Sequence, residues 1–260
     1  PTVNVNTTGI IDGKIEVSPE IPTNLNISGG LFTNEIEDEW CAEGYVPTKD
    51  GEYWTVLYII TDMSRSFNKN WNWFSSYVNL SASDGSGLEK LQNALGTSGI
   101  IVKGQLNEVV NYEIIGYDQE TGEAIYAWTG RSFAPLKNKM YMIKTSEAIS
   151  ADDFVINGEL IDYRNTFIKL NKGWNWISYP VKDAVEINEA LANLTPQDGD
   201  QIKSYTSFAR YNASTGKWNS GSLKTMTPGE GYMYQSNNSK VVGFYYNVPE
   251  TGSRAALKAN

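Results

Sequence analysis

The chain has no histidine in 260 residues. That absence removes the commonest general base and the commonest transition-metal ligand. Ser-His-Asp and Cys-His nucleophile systems are excluded with it, as are the histidine-containing zinc sites. Catalysis by paired carboxylates or by lysine stays open. Cysteine is nearly absent too. Cys41 is the single one, so no intramolecular disulfide can form, and we read it as a small buried hydrophobe. Charged residues are sparse, at 20% against the usual ~25% of soluble domains. Their balance is acidic, −9 overall with a pI of about 4.7. An acidic surface disfavours partners that present phosphates, both nucleic acid and anionic membranes. No apolar run approaches the ~20 residues of a membrane span. The longest, such as Val56-Leu57-Tyr58-Ile59-Ile60, have strand length. The chain begins at Pro1, and we expect part of a longer exported protein whose signal peptide has been removed.

Asn, Ser, Thr, Gly and Tyr stand where charge would otherwise be, and they suit sheet surfaces and turns. Hydrophobic residues make up 40% of the chain, enough for a core. An internal repeat is visible by eye. Lys69-Asn70-Trp71-Asn72-Trp73-Phe74-Ser75 returns 103 residues later as Lys172-Gly173-Trp174-Asn175-Trp176-Ile177-Ser178. The order of further matches is shared. Leu88, Leu91 and Leu95 correspond to Ile187, Leu191 and Leu194, at helical spacing. Ile101-Val102-Lys103 corresponds to Gln201-Ile202-Lys203, and Thr121-Gly122 before Trp128 to Thr215-Gly216 before Trp218. Met140-Tyr141-Met142 corresponds to Gly231-Tyr232-Met233. Duplication explains so many ordered matches.

The coarse reading is mostly strand. Trp71–Leu80 and Trp174–Val181 alternate, with Trp71 and Trp73 on one face and Asn72 and Phe74 on the other. One short helix is expected per copy, near 86–95 and 184–194. Asp183 would cap the second, with Glu186 at capping-box spacing, and Pro196 would stop it. Asp118–Gly122 and Asn212–Gly216 read as hairpin turns. The expected organisation is an all-β fold of two tandem related units that pack together. It comprises an N-terminal strand segment or end of an upstream domain (1–30), copy one with insertions (31–158), copy two (159–250) and a flexible tail (251–260).

The string Gly173-Trp174-Asn175-Trp176-Ile177-Ser178-Tyr179-Pro180, followed by Asp198-Gly199-Asp200 and Pro228-Gly229-Glu230-Gly231-Tyr232, resembles a known module. It recurs, singly or in tandem, in secreted and cell-surface proteins of Gram-negative gut and oral bacteria, some adhesin-like. The resemblance covers 170–245 well and 69–145 less well. Copy one departs from it with Asn70 for the glycine, Ser76-Tyr77 for Tyr-Pro, and Lys137-Asn138-Lys139 for the Pro-Gly segment. The resemblance implies an extracellular or outer-surface location and no established catalysis. It brings no active site.

Four groups of residues carry chemistry. The tryptophans of Trp-Asn-Trp could stack on pyranose rings. Their return in both copies instead favours a core role for Trp71, Trp73, Trp174 and Trp176, because a shared fold needs a shared core. The aromatics beside the hairpin turns, Trp218, Tyr211, Trp128 and Tyr205, are the candidate ligand contacts, since loop-proximal residues are more often exposed. Asp84-Gly85 and Asp198-Gly199-Asp200 lack the continuation of a calcium loop and read as plain turns. Glu35-Ile36-Glu37-Asp38-Glu39-Trp40 is read as a solvated charge run rather than a catalytic pair. No catalytic residue, metal ligand or cofactor is assigned. The leading function is a non-catalytic interaction module, contacting a glycan or a host or extracellular-matrix protein. A structural spacer of a larger exported protein comes next, and a carboxylate-based glycoside-acting enzyme last. Nucleic acid and membrane insertion are not expected.

Overall fold

A computed structural model describes residues 2–7, 9–16, 24–42, 45–50, 52–58, 60–81 and 86–248. Asp84-Gly85 and the tail 251–260 lie outside them. The fold is all-β, with little helix. The chain divides into two compact units, 1–61 with 159–162, and 62–158 with 163–260.

In the first unit Thr2–Val5 pairs in parallel with Asn24–Ile27. Ile10–Ile11, Leu31–Phe32, Tyr53–Tyr58 and Tyr45–Asp50 lie side by side in that order as a four-stranded sheet. Ile27, Phe32, Ile36, Cys41 and Val56 form its core. Cys41 is buried. Copy one was expected to begin at residue 31; the structure places 31–61 with the N-terminal segment instead. Leu31–Phe32 pairs with Trp54–Thr55, so these strands complete a sheet that Ile10–Ile11 begins.

The second unit holds two five-stranded antiparallel sheets. The first uses β1 (Asn70–Phe74), β2 (Gly99–Lys103), β3 (Val109–Tyr117), β4 (Ala124–Gly130) and β5 (Tyr141–Thr145). The second uses β6 (Gly173–Ile177), β7 (Gln201–Lys203), β8 (Phe208–Asn212), β9 (Lys217–Gly221) and β10 (Tyr232–Ser236). Their strand orders are β4-β3-β2-β5-β1 and β9-β8-β7-β10-β6, which is one topology drawn twice. Registers agree as well. Tyr141 faces Phe74 as Tyr232 faces Ile177, and Val110 faces Gly130 as Ala209 faces Gly221. Helix α1 (Ser86–Leu95) buries Leu88, Leu91 and Leu95. Its counterpart α2 (Ile187–Ala190) is a single turn. The expected cap at Asp183 is not the one used: Glu186 accepts from the Asn188 and Glu189 backbone N–H groups. Val185–Glu186 pairs with Thr225–Met226, which holds the chain extended up to Glu186.

The asparagine of Trp-Asn-Trp is a turn clamp. Asn72 Oδ1 accepts from Asn68 N at 2.9 Å while its Nδ2 donates to the Asn68 and Asn70 carbonyls. Asn175 repeats this with Asn171 N at 2.8 Å and the Asn171 and Gly173 carbonyls. The clamped turn needs a left-handed residue, and φ is 77° at Asn70 and 90° at Gly173. Asn tolerates that region better than other non-glycine residues, which accounts for the Gly-to-Asn departure in copy one. Asn175 is buried, so truncation strands several backbone groups. Asn175→Ala is expected to cost about 2–3 kcal/mol, against under about 1 kcal/mol for the exposed neighbour Trp174→Ala. Urea denaturation of both variants checks the contrast.

The two sheets join through the matching serines, whose backbone N–H groups reach equivalent carbonyls and whose hydroxyls reach carbonyls on either side of them. Ser75 N donates to Gly229 O at 3.1 Å, and Ser178 N to Asn138 O at 3.5 Å. Ser75 Oγ donates to Glu230 O, and Ser178 Oγ to Lys137 O. The serine that ends each repeated motif therefore pins its own sheet to the segment before the last strand of the other.

Candidate functional site

Strand parity decides which side of each motif meets solvent. Asn72 and Phe74 in β1, and Asn175 and Ile177 in β6, point inward. Trp71, Trp73, Trp174 and Trp176 therefore line the outer faces. Trp174 is 40% exposed and the other three are half-buried. None of the four is core, contrary to expectation. Volume suggested the tryptophans for the interior, but the clamp requires the asparagine to face inward, and a strand cannot bury adjacent residues on one side.

The hairpin aromatics invert in the same way. Trp218 is 4% exposed and sits in the core of the second sheet. Its ring lies 5.3 Å from Tyr211 and 5.8 Å from Tyr234. It is not a ligand contact, because helix α2 and the sheet close over the hairpin there: Trp218 N donates to Asn188 Oδ1 at 2.7 Å. Tyr211 is half-buried against the same core. Trp128 is half-buried too, 5.5 Å from Tyr112. It packs where a Cβ on Gly99 would meet its ring at 2.9 Å, so glycine is needed for that close approach. Of the four candidates Tyr205 alone is open, at 55%.

Tyr205 connects the two outer faces. It follows β7, yet its ring meets Trp73 of the first sheet edge-on at 5.8 Å. Gln105, at the matching place after β2, reaches the opposite way. Its Oε1 accepts from Trp176 N at 3.0 Å and its Nε2 donates to Trp174 O at 3.0 Å. Rows of the face repeat between sheets. Trp73, Met142, Lys103 and Val109 lie across the first, and Trp176, Met233, Lys203 and Phe208 across the second. Lysines stand over tryptophans in both: Lys203 Nζ is 4.4 Å from the Trp174 ring centroid, and Lys103 Nζ 5.3 Å from that of Trp71. Such pairs hold rings in place by cation–π attraction. Lys103 and Lys203 were legible as matched positions but not as site residues.

The acidic turn Asp198-Gly199-Asp200 is spent on internal bonds. Asp200 is buried and accepts from Tyr234 OH, Gln197 N and Asn237 N. Asp198 Oδ1 accepts from Ala213 N. In the acidic stretch near residue 37, Ile36 is buried between the exposed Glu35 and Glu37. The outer face offers flat aromatic surface, amide and ammonium donors and thioether contacts, the inventory for stacking on a ligand ring while bonding its polar rim. No protein-family model, curated protein or solved structure matches the chain.

Proposed function

We propose that this chain is a non-catalytic interaction module acting outside the cell, which holds glycans against the outer face shared by its two sheets. The observation that carries the reading is the pair of outward tryptophans in each sheet, flanked by a lysine, at positions the core does not require. Aromatic faces of this kind match the apolar faces of sugar rings. The identical strand orders and mirrored clamps support a duplicated unit whose two faces work as one platform. The extracellular location rests on the resemblance of Gly173–Pro180 to secreted and surface modules of Gram-negative bacteria.

The test is a broad glycan and matrix-protein array probed with the wild type and with a Trp174→Ala/Tyr205→Ala variant. Both residues are exposed, so the variant keeps its fold. Binding that falls at least about tenfold, the mark of an interface anchor, supports the platform. Binding that ignores the variant, or a silent array, overturns it. A spacer role is the second reading. The Gln105 bonds favour it, because they make part of the face a seam between the sheets.

A further inference from the structure

The two sheets differ at one place beside the third strand, and the difference opens a cavity. From Gly130 to Tyr141 and from Gly221 to Tyr232 the spacing is equal, so Ser132 stands where the second sheet has Leu223. Leu223 is buried there. Ser132 is exposed, and a concavity of about 370 Å³ lies between it and the loop joining β2 to β3. That loop, 104–108, is one residue longer than its counterpart 204–207, and Asn107 takes the left-handed conformation at φ 50°. Each loop is closed by one matching bond, Gly104 N to Glu108 O and Ser204 N to Ser207 O, both 2.8 Å. The shared fold therefore does not require the extra residue or the smaller side chain. Both enlarge one space in one sheet.

The lining has the chemistry of a polyol site. Glu108 accepts only, Arg131 donates only, and Asn107 and Ser132 do both. Among the lining side chains one carboxylate and one guanidinium cancel, with Lys139 outside the lining and close enough to Glu108 to interact with its charge. Apolar surface comes from Phe133, whose ring is stacked on buried Tyr141 at 5.4 Å and 16°, and from Leu106, 77% exposed at the rim. The volume falls in the roughly 300–1,000 Å³ range of small-molecule sites. We infer that this cavity binds one neutral pyranose unit, with Phe133 against a ring face and Glu108, Arg131, Asn107 and Ser132 on its hydroxyls. The site is separate from the aromatic outer face and does not depend on it.

The test is an amide NMR titration of the isotope-labelled chain with methyl glycosides of glucose, galactose, mannose, fucose and N-acetylglucosamine. Phosphate and glucuronate serve as charged controls. The expected result is saturable shifts confined to 104–109 and 130–134, with a Kd of about 1 mM, as a few-atom contact gives. Ser132→Leu, which installs the side chain of the second sheet, should weaken binding at least about tenfold, the cost of losing an anchor contact. Arg131→Ala, at an exposed residue, should do the same without risk to the fold. Shifts on Trp71, Trp73, Trp174 or Trp176 alone would overturn the cavity and leave the platform standing. Shifts in the cavity alone support the cavity and leave the platform to be decided by the array. No shifts with any neutral glycoside, shifts with the charged controls alone, or binding that both variants leave intact would overturn the inference.

Discussion

Above about pH 10 the unit formed by 62–158 and 163–248 is expected to lose stability at several kcal/mol per pH unit and to unfold between about pH 11 and pH 13. Tyr141, Tyr179, Tyr232, Tyr234 and Tyr246 are buried, and their hydroxyls bond to protein groups. Tyr179 donates to Asp183 O, Tyr234 to Asp200 Oδ2 and Tyr246 to Ser178 O. Tyr141 and Tyr232 accept from Leu136 N and Thr227 N, another matched pair. Burial pushes the Tyr141 phenol up to about 12, Tyr179, Tyr232 and Tyr234 higher still, and Tyr246 well above its ordinary value. An unfolded tyrosine ionises near pH 10. Between these limits the unfolded chain releases protons that the folded chain retains, so stability falls as pH rises. Each phenol contributes about 1.4 kcal/mol per pH unit, Tyr141 until about pH 12. Arg65 opposes them. Burial lowers it to about 10, so over the same window the folded state has given up a proton that the unfolded arginine keeps, which offsets about one phenol. Below about pH 10 these groups impose no slope. A domain stable by about 5–15 kcal/mol has room for only one to three such pH units. Circular dichroism and phenolate absorbance should move together in one steep transition, and Tyr246→Phe should shift it upward. Gradual phenolate formation with the circular dichroism retained would mean that hydroxide reaches these rings in the folded state.

The sheets were legible because sequence order and register are tied. Trp71 to Ser75 and Trp174 to Ser178 match position by position, and β1 and β6 occupy the same edge of the same topology. The glycine or asparagine before each tryptophan was legible as an element boundary for the same reason, although its left-handed backbone was not. The candidate site was legible as a set of residues but not as a surface. Alternation says that Trp71 and Trp73 share a face and is silent on which face is inside. Hydrophobicity gives the wrong answer, because a small polar side chain with four donor and acceptor functions can be worth more inside a clamped turn than an indole. Trp218 failed for the complementary reason. Its hairpin is polar, but α2 folds over it, a contact between residues 188 and 218 that no local pattern encodes. The cavity beside Ser132 needed both sheets in hand, since it is visible only as a difference between matched positions.

Arg65→Ala is expected to destabilise the same unit by about 3–5 kcal/mol, the upper range for losing a half-buried guanidinium that bonds three backbone carbonyls. The Arg65 guanidinium donates to Trp73 O at 2.9 Å, to Ser66 O at 3.2 Å and to Gly229 O. Trp73 lies in β1 and Gly229 in the turn that leads to β10, so one side chain ties the first sheet to the approach of the second. Its face lies 4.5 Å from the Phe67 ring centroid and 6.0 Å from that of Phe74, which adds packing to the bonds. Symmetry supplies no second tie. Counting back equally from the second motif gives Ile168, buried and paired with Phe244. The other links include the serine bonds, the two Gln105 bonds to Trp174 and Trp176 and the Tyr205–Trp73 ring contact, each hydrogen bond worth about 1 kcal/mol net. Substitutions separate the contributions. Arg65→Met keeps the stem and its contact with Phe67 but leaves the carbonyls without their donor. Arg65→Lys keeps the charge but not the planar fork that serves several acceptors at once. Both should fall between wild type and alanine. If the two sheets depend on this tie, urea unfolding of Arg65→Ala should split into two transitions, one per sheet, where the wild type shows one. A single transition within about 1 kcal/mol of wild type would mean that the serine and Gln105 bonds and the packing around them hold the sheets together without it.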